Sequence, residues 1–211
     1  MGFEGLSAEQ RHRVLLMAAI GGAAFLVESG AGALGGSQAL LADGLDFLAM
    51  ALAAGLGLWT AGKSGETRAW AKLLETGAPL ALAAWVGLTT LYQFFFRAVP
   101  EPSLMAAGGL AGLAANGAVL YLLQGERGAG ARLRANWLAA RNDMIGNGTV
   151  MLAAGLIVIV DNSVPDLVVA GVMVALFVTG AYRPALAAWR AWQAMQLARQ
   201  AKEARADEHE S

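Results

Sequence analysis

The residues able to do chemistry in this chain are few, and nearly all lie where they are expensive to keep. Glu28, Asp43, Asp46, Asn116, Asn142, Asp143 and Asn147 sit inside long apolar stretches. An ionisable side chain at the centre of a membrane span costs about 2.5–3.5 kcal/mol on insertion scales, so such residues are functional candidates by default. Their spacing sharpens the point. Asp43 and Asp46 are three apart, and Asp143 and Asn147 four apart, so each pair shares a helix face. Met50 extends the first face by one turn. Carboxylate and amide oxygens brought together in this way suit a hard or borderline divalent cation. The plainer alternative is interhelical hydrogen bonding, and for Asn116 that is the simplest account.

Positioning these groups requires spans of roughly 20 apolar residues. Six such stretches are present, at about 13–33, 37–60, 74–96, 103–124, 137–160 and 165–187. The first two are joined by the small-residue turn Gly35-Gly36-Ser37, and prolines mark the turns at 97–102 and 161–165. Ser7 and Gln10 fit a capping box opening the first helix. Taking residue 48 as the middle of the second span places Asp46 about 3 Å from the bilayer centre, and Asp143 falls about 8 Å from the middle of the fifth. The expected fold is therefore an all-α, six-span membrane protein forming one domain over 1–211. A helical tail at 188–211 carries its tryptophans inward, and 207–211 are expected to fray.

Charge gives the orientation. Arg11, Arg13, Lys63, Arg68, Lys72, Arg127, Arg132, Arg134, Arg183, Arg190, Arg199, Lys202 and Arg205 fall on one side, whereas the other side holds Arg97 with Glu101, Asp161 and Asp166. The positive-inside rule then puts both termini in the cytoplasm, with Trp59, Trp137, Trp189 and Trp192 as interfacial anchors. No cleavable leader is expected, and the plasma membrane of a prokaryote is the expected location.

Composition narrows the function. The chain has 211 residues, 57% hydrophobic and 15% charged, with a mean hydropathy of +0.51. A net charge of −1 offers no polybasic surface for nucleic acid. With no cysteine, and histidine only at His12 and His209, thiolate sites and an intramembrane histidine site are excluded. No nucleophile–base pair or phosphate loop is apparent, so an enzyme is not expected, nor is a prosthetic group.

The run Gly36-Ser37-Gln38-Ala39-Leu40-Leu41-Ala42-Asp43-Gly44-Leu45-Asp46 resembles the second span of the cation diffusion facilitator family. The run from Trp137 through Arg141-Asn142-Asp143 to Asn147 resembles the fifth span of one of its branches. The resemblance implies a homodimer that exports divalent cations such as Zn²⁺ from the cytoplasm in exchange for protons. It implies a transport site at Asp46, Met50, Ala139 and Asp143, two positions of which lack their usual ligand. Asp43, Asn147, Glu28 and Asn142 are the candidate substitutes. A site of oxygen ligands without histidine favours Mn²⁺, Fe²⁺, Co²⁺ or Mg²⁺ over tetrahedral Zn²⁺. The family's histidine-rich loop and its cytoplasmic domain have no counterpart in the sequence.

Two other functions fit the same spans. One is a carrier of organic cations, with Trp85, Tyr92 or Tyr121 lining a cavity. The other is a non-transporting partner subunit, associating through the Gly108/Gly112 face of the fourth span.

Overall fold

The computed structural model describes residues 5–96, 99–124 and 131–210, with side chains except at 131–133 and 202–210. Arg97, Arg127 and Ser211 lie outside the described residues, as do the side chains of Arg132, Lys202 and Arg205. The described chain forms six helices: α1 (Ala8–Gly35), α2 (Gln38–Trp59), α3 (Gly65–Phe96), α4 (Pro102–Leu123), α5 (Ala131–Val160) and α6 (Val164–Glu210). Each is long and apolar enough to cross a membrane.

Local chemistry sets the helix ends. At the start of α1, Ser7 Oγ accepts from the Gln10 N–H while the Gln10 side chain accepts from the Ser7 N–H, satisfying two otherwise orphaned donors. The helix stops at Gly36, whose φ of 68° is in the left-handed region that glycine enters at no steric cost. The chain reverses there, and Ser37 immediately caps α2 by accepting from the Leu40 N–H at 3.1 Å. Pro102 opens α4, where its missing N–H costs nothing. Asp161, at φ 49°, ends α5.

Three helices outrun their apolar stretches. Helix α3 begins at Gly65 and α5 at Ala131, each several residues before the expected span, and α6 continues through Pro184 to Glu210 without a break. Hydropathy marks only the part of a helix that must be apolar, and a polar extension carries no such signal. Residues 207–210 are helical rather than frayed. The α6 extension runs beside the start of α3, where Arg199 Nη1 lies 3.3 Å from Glu66 Oε1. Trp189 and Trp192 stack on each other at 5.3 Å, and Trp189 is exposed rather than turned inward.

Packing pairs α1 with α2, α4 with α5, and α3 with α6; α1 also meets α4, and α2 meets both α3 and α6. Polar contacts define two ends. At the end holding most of the basic residues, Arg13 donates to the Leu122 carbonyl at 3.1 Å, tying α1 to the last turn of α4. At the opposite end the Glu101 N–H donates to the Gly35 carbonyl at 2.8 Å. Two apolar clusters fill the interior, one between α1, α2, α4 and α5 around Met17, Val119 and Leu123, the other between α2, α4, α5 and α6 around Leu40, Met105 and Ile157.

Candidate functional site

The membrane acids separate into two places. Asp43 and Asn147, on facing turns of α2 and α5, are buried together with Glu28 of α1 and Asn116 of α4. Asn147 is the hub. Its Nδ2 donates to Glu28 Oε1 at 3.1 Å and also to Asp43 Oδ2. Its Oδ1 accepts from Asn116 Nδ2 at 3.0 Å. These three hydrogen bonds of one amide join four helices in one layer. Glu28 Oε2 and Asn116 Oδ1 are buried with no hydrogen-bond partner among the described residues. The layer is tight because Gly112 of α4 has no side chain: a Cβ there would run into the Glu28 carboxylate and the Asn147 amide.

Asp46, three residues after Asp43 on α2, and Asp143, four before Asn147 on α5, face elsewhere. Both line a cavity of about 800 Å³ that is bounded by α2, α3, α5 and α6 and partly open to the surroundings, together with Asn142 and Gly146. Asp143 lies within the electrostatic field of both Asp46 and Asp43. Gly146 belongs to both places, since it lines the cavity while its Cβ position is 2.8 Å from Asp43 Oδ1. Lys72 and Glu75 of α3 also line the cavity, one to two turns nearer the basic end, and pair at 2.5 Å. Neither Asp46 nor Asp143 has a basic partner among the described residues.

No family model matches the chain, and no curated protein does. The site rests on its own geometry.

The structure brings six candidate ligands, Glu28, Asp43, Asp46, Asn142, Asp143 and Asn147, into the two neighbouring groups, with Asn116 beside the first, and it moves others away. Met50 packs against the apolar cluster of Val14, Met17 and Val119, as a flexible thioether usually does. Trp85, Tyr92 and Tyr121 are exposed on the outer surface, and none lines the cavity; Phe177 is the aromatic residue in its wall. Gly108 and Gly112 do not form an outward association face. Both are buried, Gly108 against the Leu40 side chain and Gly112 against the polar layer. Among the described residues, no three acidic or histidine side chains gather closely enough to hold a metal ion by themselves.

Two features were hidden from sequence reasoning. Lys72 falls just before the expected third span and Glu75 at its very start, so their place in a cavity wall has no hydropathy signal. Asp166, counted in the sequence only as a charge on the side opposite the basic residues, is buried at the start of α6. It accepts from Ser37 Oγ at 2.6 Å and from the N–H groups of Gln38 and Ala39 at 2.9 and 3.0 Å. A carboxylate from α6 thus caps α2, where the helix N-terminus favours negative charge. Gln38 Oε1 in turn accepts from Thr89 Oγ1 of α3 at 2.7 Å, so the end opposite the basic residues is laced across three helices.

Proposed function

We propose that this chain is a proton-coupled exporter of divalent cations, of the cation diffusion facilitator type, with Asp46 and Asp143 as its cargo ligands. The observation that carries the reading is the division of the acids: these two line a cavity, while Asp43 and Glu28 are both engaged with Asn147. The antiparallel course of α2 and α5 supports it, because carboxylates from both helices share one wall. Water and the neighbouring Asn142 amide complete the coordination of a hard cation, which commonly keeps several waters.

In this reading both termini are cytoplasmic and the membrane is the plasma membrane of a prokaryote. The cavity then communicates with the cytoplasm past Lys72 and Glu75, and the Asp166–Ser37 cap holds the external end closed. The cation enters against deprotonated Asp46 and Asp143. The bundle rocks to expose the same site outward, external protons take the carboxylates, and the cation leaves, as in alternating access about a midplane site. Because only the deprotonated acid ligates, cation affinity falls as pH falls. The homodimer implied by the resemblance belongs to this reading.

In proteoliposomes, Asp46→Asn and Asp143→Asn are each expected to abolish Mn²⁺-driven proton flux while leaving the protein folded. Flux at the wild-type rate in both would remove them from the transport site.

A further inference from the structure

The cavity is far larger than an inorganic cation requires. A divalent ion with six waters occupies about 180 Å³ at roughly 30 Å³ per water, against about 800 Å³ available. Most of the remaining wall is hydrocarbon, from Pro79, Val168, Val172, Met173, Leu176 and Phe177, and Val168, Val172 and Leu176 are also exposed at its open side. Apolar pockets of this size, with a few placed polar groups, are typical of sites for organic ligands. The polar groups here select the charge of the ligand. Three carboxylates, Asp46, Glu75 and Asp143, face the space against one ammonium, Lys72, and that ammonium is already held by Glu75. Phe177 adds an aromatic ring in the same wall, which attracts a cation placed over its face. Met173 adds an adaptable surface.

We infer that this cavity binds a lipophilic organic cation, a quaternary ammonium or phosphonium with aromatic or alkyl substituents. The cationic centre lies against Asp46 and Asp143, and the hydrocarbon lies along the α6 wall. The inference rests on the assignment of Asp46 and Asp143 as cation-facing acids, and it extends the cargo from inorganic to organic cations. A desolvated ion pair without hydrogen bonds suits these acids, which have no basic partner of their own among the described residues.

The probe is tetraphenylphosphonium, with binding measured by equilibrium dialysis on the whole purified chain in micelles, and with Mn²⁺ binding measured in parallel. The expected result is saturable binding that Mn²⁺ displaces, weakened at least tenfold by Asp46→Asn and by Asp143→Asn. Neutral triphenylphosphine oxide is expected to bind at least tenfold more weakly. Filling the α6 wall with Val172→Trp, or with Leu176→Trp where the first variant is not monodisperse, is expected to lower the ratio of phosphonium to Mn²⁺ affinity at least tenfold. Phosphonium uptake that is indifferent to the acid and wall substitutions would be partition into detergent or a lipid-filled groove, and would overturn the inference. Mn²⁺ binding without phosphonium binding would also overturn it and leave the metal reading standing. Phosphonium binding that needs the acids, in a protein that binds no Mn²⁺, would uphold it and overturn the metal reading instead.

Discussion

Replacing Gly112 by alanine tests whether the buried polar layer holds α1, α2, α4 and α5 together. The added Cβ would lie 2.5 Å from Asn147 Nδ2, and closer still to the Glu28 carboxylate. Ordinary contact is about 3.5 Å, so the amide must retreat by about 1 Å. Its bond to Glu28 is 3.1 Å long, and that retreat takes it past the useful range of a hydrogen bond. Overpacking costs about 1–3 kcal/mol, and a buried polar group left unpaired costs a further 1–3 kcal/mol. Alanine returns about 1 kcal/mol of helix propensity over glycine. The net expectation is a loss of about 1–5 kcal/mol. Gly117 is the internal control: it lies on the same helix, and its Cβ position has nothing within 4 Å, so Gly117→Ala should be neutral or stabilising by up to about 1 kcal/mol. Both variants are compared by unfolding in mixed micelles with rising dodecyl sulfate. A Gly112→Ala protein as stable as Gly117→Ala would refute the close packing of Glu28, Gly112 and Asn147.

Asn147→Ala removes three hydrogen bonds at once. Interhelical bonds in bundles average about 0.6 kcal/mol each, so the same titration should show a loss of about 2 kcal/mol or more, since Glu28, Asp43 and Asn116 are left buried. A loss below 1 kcal/mol would show that the amide is not the hub. Asp166→Ala uncaps α2 and leaves its first N–H groups unpaired, an expected loss of about 2–4 kcal/mol; Asp166→Asn, which keeps an acceptor, should lose less, and equal losses would contradict the cap. The absence of native cysteine makes topology directly readable. A cysteine placed at Ser64 should react with an impermeant thiol reagent only from the cytoplasmic face, and one placed at Asn162 only from the other. The reverse pattern would invert the proposed direction of transport.

What was legible in the sequence follows from how local each signal is. The six spans were legible because bilayer thickness imposes a length on apolar runs, and the capping box because its partners lie three residues apart. The chemistry-bearing residues were legible from their cost. Their grouping was not. A three-residue step on a helix turns the side chain by about 60° from its predecessor, enough to aim Asp43 into the layer with α1 and α4 and Asp46 into the space bounded by α3 and α6. Which neighbour waits on either side is a tertiary fact. Asp166 escaped for the same reason: its partners Ser37, Gln38 and Ala39 lie far away in the chain, and nothing local distinguishes it from a solvated acid. Met50 and the Gly108/Gly112 pair had spacing compatible with a ligand and an association face, and packing used them for the apolar core and for close helix approach.

The most direct measurement of the central claim is a structure of the Mn²⁺-soaked protein, with anomalous scattering to locate the ion. The proposed function predicts one strong peak in the cavity between the Asp46 and Asp143 carboxylates, lost in the Asp143→Asn protein. A peak within the Glu28–Asp43–Asn147 layer, or none at saturating Mn²⁺ and neutral pH, would contradict it.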